Sequence, residues 1–144
     1  MKNKIIMPIF GTRPEAIKMC PLIRELWRRE GVRVKLCVTG QHRELLSSAL
    51  DIFGVKPDFD LALMRERQTQ EGFLSALMAA LPEVLCRVRP DLVLVHGDTA
   101  SAYGAALVCF LRGIPVAHIE AGLRTHDIDS PFPEEFYRVS IARM

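Results

Sequence analysis

The chain has 144 residues, 49% hydrophobic and 25% charged, which predicts one globular domain with a buried core and no room for a second. Nineteen Lys+Arg against 17 Asp+Glu give a formal net charge of +2, too balanced for a dedicated nucleic-acid binder. No apolar run reaches the ~18 residues that cross a bilayer; the longest, residues 102–111, contains Gly104 and stops at Arg112.

Residues 4–10 form a short apolar run that reads as a first strand. Pro8 interrupts it, and Thr12-Arg13-Pro14-Glu15 stands where a signal peptide would carry its cleavage site. Residues 14–29 carry Ala16, Met19, Cys20, Ile23, Leu26 and Trp27 at a 3.6-residue period, which predicts a helix. Thr12 and Glu15 have capping-box spacing and Pro14 suits the first turn, while Pro21 should kink or divide the helix. Residues 32–38 are strand-like. Residues 43–53 place Leu45, Leu46, Ala49, Leu50 and Phe53 on one helical face, and 59–64 form an irregular extended segment.

Residues 70–88 give the clearest helix, with Phe73, Leu74, Leu77, Met78, Leu81, Val84, Leu85 and Val88 at i, i+3, i+4 spacing and Pro82 as a candidate bend. Residues 91–96 and 115–119 are near-continuous apolar runs, as expected of parallel strands buried on both faces. Between them, 99–111 reads as a sandwiched apolar helix. A loop comes next, and residues 134–142 start a last helix. This alternation predicts an open, mostly parallel, Rossmann-like α/β/α sandwich. Cys20, Cys37, Cys86 and Cys109 lie far apart without C-x-x-C spacing, and read as buried free thiols in a reducing cytoplasm.

In such a sheet, ligands bind beyond the carboxyl ends of the strands. Those ends lead into Gly11-Thr12-Arg13-Pro14-Glu15 and Lys18, into Thr39-Gly40-Gln41-His42-Arg43, into His96-Gly97-Asp98-Thr99, and into His118-Ile119-Glu120 with Arg124 beyond. Gly11-Thr12 opening a helix is a candidate anion site through its free backbone N–H groups, with Arg13 and Lys18 adding charge; the alternative is a plainly capped helix. Neither G-x-G-x-x-G nor a Walker A sequence is present. Asp98 and Glu120 end apolar strands, where desolvation raises a carboxyl pKa and suits it to proton transfer. The structural alternatives are an N-cap for Asp98 and an ion pair with Arg124 for Glu120. His96 and His118 are better explained by backbone hydrogen bonds than as metal ligands, and Glu134 and Glu135 could simply complement a helix dipole.

Five segments in register closely resemble the non-hydrolysing UDP-N-acetylglucosamine 2-epimerases: residues 11–22 (GTRPEAIKMCPL), 39–46 (TGQHRELL), 94–99 (LVHGDT), 115–125 (PVAHIEAGLRT) and 130–135 (SPFPEE). The resemblance implies interconversion of UDP-GlcNAc and UDP-ManNAc, by anti elimination of UDP to a 2-acetamidoglucal and re-addition with inverted configuration at C2. It implies the N-terminal half of a GT-B-like two-domain enzyme, with the C-terminal nucleotide-binding domain absent from residues 1–144 and the fragment inactive alone. By motif, Asp98, Glu120 and Glu134 fall on the acidic catalytic positions, and Arg13 and Lys18, with Asp98 and Glu120, on substrate-binding positions. Gln41, His42, Arg67 and Gln68 fall on positions associated with an activating second UDP-GlcNAc. Tyr137 stands where the family has Asn.

No cofactor, metal, nucleic acid or membrane is implied. The full-length enzyme is expected to be a cytoplasmic homodimer feeding surface-polysaccharide synthesis. The alternatives are a stand-alone binding or regulatory module that docks on an epimerase, a hydrolysing 2-epimerase, and a GT-B glycosyltransferase.

Overall fold

The computed structural model describes residues 3–40 and 43–144. Along the chain run β1 (Lys4–Phe10), α1 (Arg13–Leu26), β2 (Val32–Val34), β3 (Cys37–Val38), α2 (Arg43–Phe53), β4 (Phe59–Asp60), α3 (Gln70–Val88), β5 (Leu92–His96), α4 (Ala100–Leu111), β6 (Val116–Ile119) and α5 (Glu134–Ile141). The sheet order is β4-β3-β1-β5-β6, with β2 also on β1. Every pairing is parallel, so all strands deliver their carboxyl ends to one edge.

The alternation of side chains along β1 and β5 builds two cores. Met7, Ile9, Val93 and Val95 point to one face, where α3, α4 and α5 cover them with Leu77, Leu81, Ala105, Cys109 and Ile141. Phe10 and Leu94 point to the other, under Ala16, Met19 and Ile23 of α1 and Leu46 and Leu50 of α2. Gly104 lets α3 lie close on α4, since a Cβ there would fall 2.7 Å from the buried Leu77 Cδ2.

Four expectations change. The run 32–38 splits into β2 and β3, which keep one register on β1, as Lys4↔Val32 and Phe10↔Val38 show. The gap falls where Asp58 takes the Leu36 N–H at 2.9 Å and the Lys35 ammonium at 2.6 Å. Helix α1 runs unbroken through Pro21. Ile17 and Pro21 are both exposed, so water can serve the carbonyl that Pro21 leaves without its helical donor. Strand β6 is half-buried along its length, because it is an edge with β5 as its sheet partner. Cys86 is exposed, whereas Cys20, Cys37 and Cys109 are buried. Burial pushes the Cys20 thiol up to about 11 and those of Cys37 and Cys109 up to about 12, which leaves these three inert at neutral pH. No helix among the described residues is long and apolar enough to cross a membrane.

Candidate functional site

A cleft of about 620 Å³ opens at the carboxyl edge of the sheet, and Arg13, Lys18, Asp98, Glu120 and Glu134 all line it. The β1–α1 turn closes one side. Glu15, 1% exposed, turns back on its own helix start. Its Oε2 accepts the N–H groups of Gly11 at 3.0 Å and Thr12 at 2.8 Å and the Thr12 hydroxyl at 2.8 Å. Its Oε1 accepts the Thr99 hydroxyl at 2.7 Å. The anion expected at Gly11-Thr12 is therefore the protein's own carboxylate. Those two N–H groups are not free for a phosphate, because the capping box binds inward. Burial pushes the Glu15 carboxyl up, against the four donors. Thr99 spends its oxygen on the Ala102 N–H as the α4 cap, so one chain of bonds ties the β1–α1 turn to the β5–α4 turn.

Neither structural alternative for Asp98 and Glu120 holds. Thr99, not Asp98, caps α4, and Arg124 pairs with Glu135. Asp98 Oδ2 lies 2.9 Å from Arg138 Nη2. Glu120 Oε1 lies 3.3 Å from the same nitrogen, and its Oε2 lies 2.5 Å from Lys18 Nζ and 3.5 Å from His96 Nε2. Glu120 sits in the left-handed region at φ 61°, which costs a non-glycine residue of order 1–2 kcal/mol. The expected rise in its pKa is reversed: the Lys18 hydrogen bond outweighs desolvation and holds the carboxyl below its ordinary value.

His118 meets the backbone expectation, with Nε2 at 2.7 Å from the Gly97 carbonyl. His96 is 4% exposed, and its Nε2 has no hydrogen-bond partner. Burial lowers both histidine pKa values, so both rings are held toward the neutral form. Among the described residues no cluster of three or more His, Cys, Asp or Glu side chains is arranged to hold a metal ion.

The two glutamates that open α5 divide their work. Glu134 faces the cleft. Glu135, 2% exposed, accepts Arg124 Nε at 2.7 Å and the N–H groups of Thr125 at 3.2 Å and His126 at 3.1 Å, pinning the loop between β6 and α5. Burial pushes its carboxyl up, yet these donors prevail and the net shift is downward. A carboxyl with a depressed folded value adds stability above its unfolded pKa and loses it as pH falls through the folded one. Native chain is thus expected to melt above Glu135→Gln at neutral pH, with the gap closing under acid. Thermal melts across that range check this; a gap that persists in acid contradicts it.

Tyr137, which stacks on Tyr103 with centroids 4.8 Å apart, lines the cleft and donates its hydroxyl to Gln70 Oε1 at 2.8 Å. Gln68 lines a hollow of about 150 Å³ that shares Gln70 and Ala100 with the cleft. Arg67 is exposed on the same segment, at φ 54°. Gln41 and His42 lie outside the described residues. Arg138, 5% exposed, joins the site through contacts that its spacing from Glu120 along the chain does not signal; in the sequence it stands out only through the resemblance, as the Arg after Tyr137 where the family has Asn-Arg.

The family model described as UDP-N-acetylglucosamine 2-epimerase matches residues 24–144. The chain is 49% identical over 138 residues to the UDP-N-acetylglucosamine 2-epimerase of Bacillus subtilis, covering 96% of this chain and 36% of that protein. The crystal structure of UDP-GlcNAc 2-epimerase from Neisseria meningitidis bound to UDP-GlcNAc matches with TM-score 0.93 and 45% identity, over 96% of this chain and 38% of that one. The enzyme from Methanocaldococcus jannaschii, in complex with UDP-GlcNAc and UDP, matches with TM-score 0.89 and 32% identity, again over 96% and 38%. The chain spans little more than a third of the length of these relatives.

Proposed function

Because the chain belongs to the UDP-N-acetylglucosamine 2-epimerase family, we propose that it forms the acid–base wall of a site interconverting UDP-GlcNAc and UDP-ManNAc. The observation that carries this is the meeting of Asp98, Glu120 and Glu134 with Arg13 and Lys18 in one cleft. The chemistry is redox-neutral. A carboxylate takes the C2 proton, the C1–O bond breaks with its electron pair leaving on UDP, and a C1=C2 double bond remains. A proton then returns to C2 from the opposite face as the diphosphate oxygen re-forms its bond to C1. Asp98, Glu120 and Glu134 share the two proton transfers, and Arg13 and Lys18 stabilise the charge that grows on the departing diphosphate. The uridine contacts come from a second domain outside these 144 residues, in a homodimeric enzyme.

The test is a chimera in which residues 1–144 replace the matching segment of the Bacillus subtilis relative. With UDP-GlcNAc in D₂O, the chimera should form UDP-ManNAc and incorporate deuterium at C2, while the 144-residue chain alone should do neither. A folded chimera that binds UDP-GlcNAc without turnover or exchange would overturn the proposal. Free ManNAc as the product would point to a hydrolysing enzyme instead.

A further inference from the structure

Arg138, 5% exposed, touches both carboxylates that end β5 and β6. Its Nη2 lies 2.9 Å from Asp98 Oδ2 and 3.3 Å from Glu120 Oε1. Its Nη1 donates to the Leu123 carbonyl, and its Nε, also buried, has no hydrogen-bond partner. A guanidinium carries its donors in a rigid planar fork, so three acceptors on one fork are fixed relative to each other. Gly97 lies beside this contact: a Cβ there would meet Arg138 Nη2 at 3.7 Å and Glu120 Oε1 at 3.8 Å, ordinary van der Waals distances, so glycine is favoured by its φ of 68° and not by lack of space.

We propose that Arg138 is a positioning residue that clamps Asp98 and Glu120 into a charge-paired couple of fixed spacing behind the reacting sugar. This rests on the proposed function for its chemical meaning, but the clamp itself can be tested without turnover. Two carboxylates this close to one cation repel each other once it is removed, and one of them then holds its proton more tightly. The groups that face the couple are Lys18 from α1, His96 from the end of β5, His118 from β6 and Arg138 from α5, with Arg13, Glu15 and Glu134 around the same cleft. Lys18 reaches Glu120 alone among the couple's two members, so it cannot replace the bridge. Arg138 is buried behind the two carboxylates, so its loss should spare substrate affinity and damage the chemical step.

The experiment follows the side-chain carboxyl carbon of Glu120 by ¹³C NMR titration in the 144-residue chain. In Arg138→Met, Glu120 should titrate at higher pH than in the native chain. An unchanged titration in a folded Arg138→Met chain would overturn the clamp, because a role confined to the Leu123 carbonyl leaves Glu120 unmoved. If Arg138→Met does not fold, Asp98→Asn decides. Freed of its rival, the guanidinium then serves Glu120 alone, and Glu120 should titrate at lower pH; no shift would overturn the clamp. In the chimera, Arg138→Met should lower kcat roughly a hundredfold, the scale of a misplaced reacting group, with KM little changed. A loss confined to KM would overturn the assignment. If the unmodified chimera is inactive, the proposed function fails while the titration still decides the clamp.

Discussion

Glu15→Ala is expected to destabilise the chain by roughly 3–5 kcal/mol, since each buried donor left unpaired costs about 1–3 kcal/mol. The Gly11 and Thr12 N–H groups, the Thr12 hydroxyl and the Thr99 hydroxyl all end on this one carboxylate. Gly11 and Thr12 are themselves buried, so water cannot readily take its place. The loss should appear as a lower urea midpoint with an unchanged slope. Glu15→Gln should fall between the two, because its amide nitrogen faces a donor on one side and its oxygen still serves the other. A loss below about 1 kcal/mol in the alanine variant would show that the turn is held by something else.

Glu120→Gln and Asp98→Asn should do the reverse. In the chimera each is expected to lower kcat by about 10² to 10⁴, the range for losing a general acid or base. The fold should persist: Glu120 is partly exposed, and its pair with the half-exposed Lys18 belongs to the class worth at most about 1 kcal/mol. Steady-state kinetics with urea melts on the same preparations separates the two effects. Near-native kcat in either variant would remove that carboxylate from the proton transfers. Glu15 and Glu120 both line the cleft, yet one should register in stability and the other in rate.

Much of this was legible in the residues. Apolar runs separated by amphipathic helices fix a parallel sheet, and a parallel sheet gathers the residues just past its strand ends along one edge. That logic finds Arg13, Lys18, Asp98 and Glu120 without any pairwise contact being known, whereas Glu134, well past the last strand, enters only through the family resemblance. It fails where a side chain is defined by a distant partner. Glu15 reads as a local cap, and its bond to Thr99 exists only because β1 and β5 are neighbours. Arg138 stands out in the sequence only as the Arg after Tyr137, and its contacts with Asp98 and Glu120 exist because the loop after β6 carries α5 back over the strand ends. The sign of the Glu120 shift fails for the same reason: desolvation can be guessed from an apolar strand, but the lysine that overrides it comes from α1.

The order of the sheet also has a consequence in time. β1 is the centre of the fold, paired with β2 and β3 on one side and with β5 on the other. The first side can close early, since residues 32–38 come after β1 with a single helix between. The second must wait for Leu92–His96. At ~5–20 residues per second of synthesis, that wait is on the order of ten seconds. Throughout it the growing chain carries the bare edge of an apolar strand, the kind of surface that other unfinished chains can pair with. The half-built sheet, with α1 and α2 already able to cover one face, is thus the stage of this protein's life most exposed to aggregation.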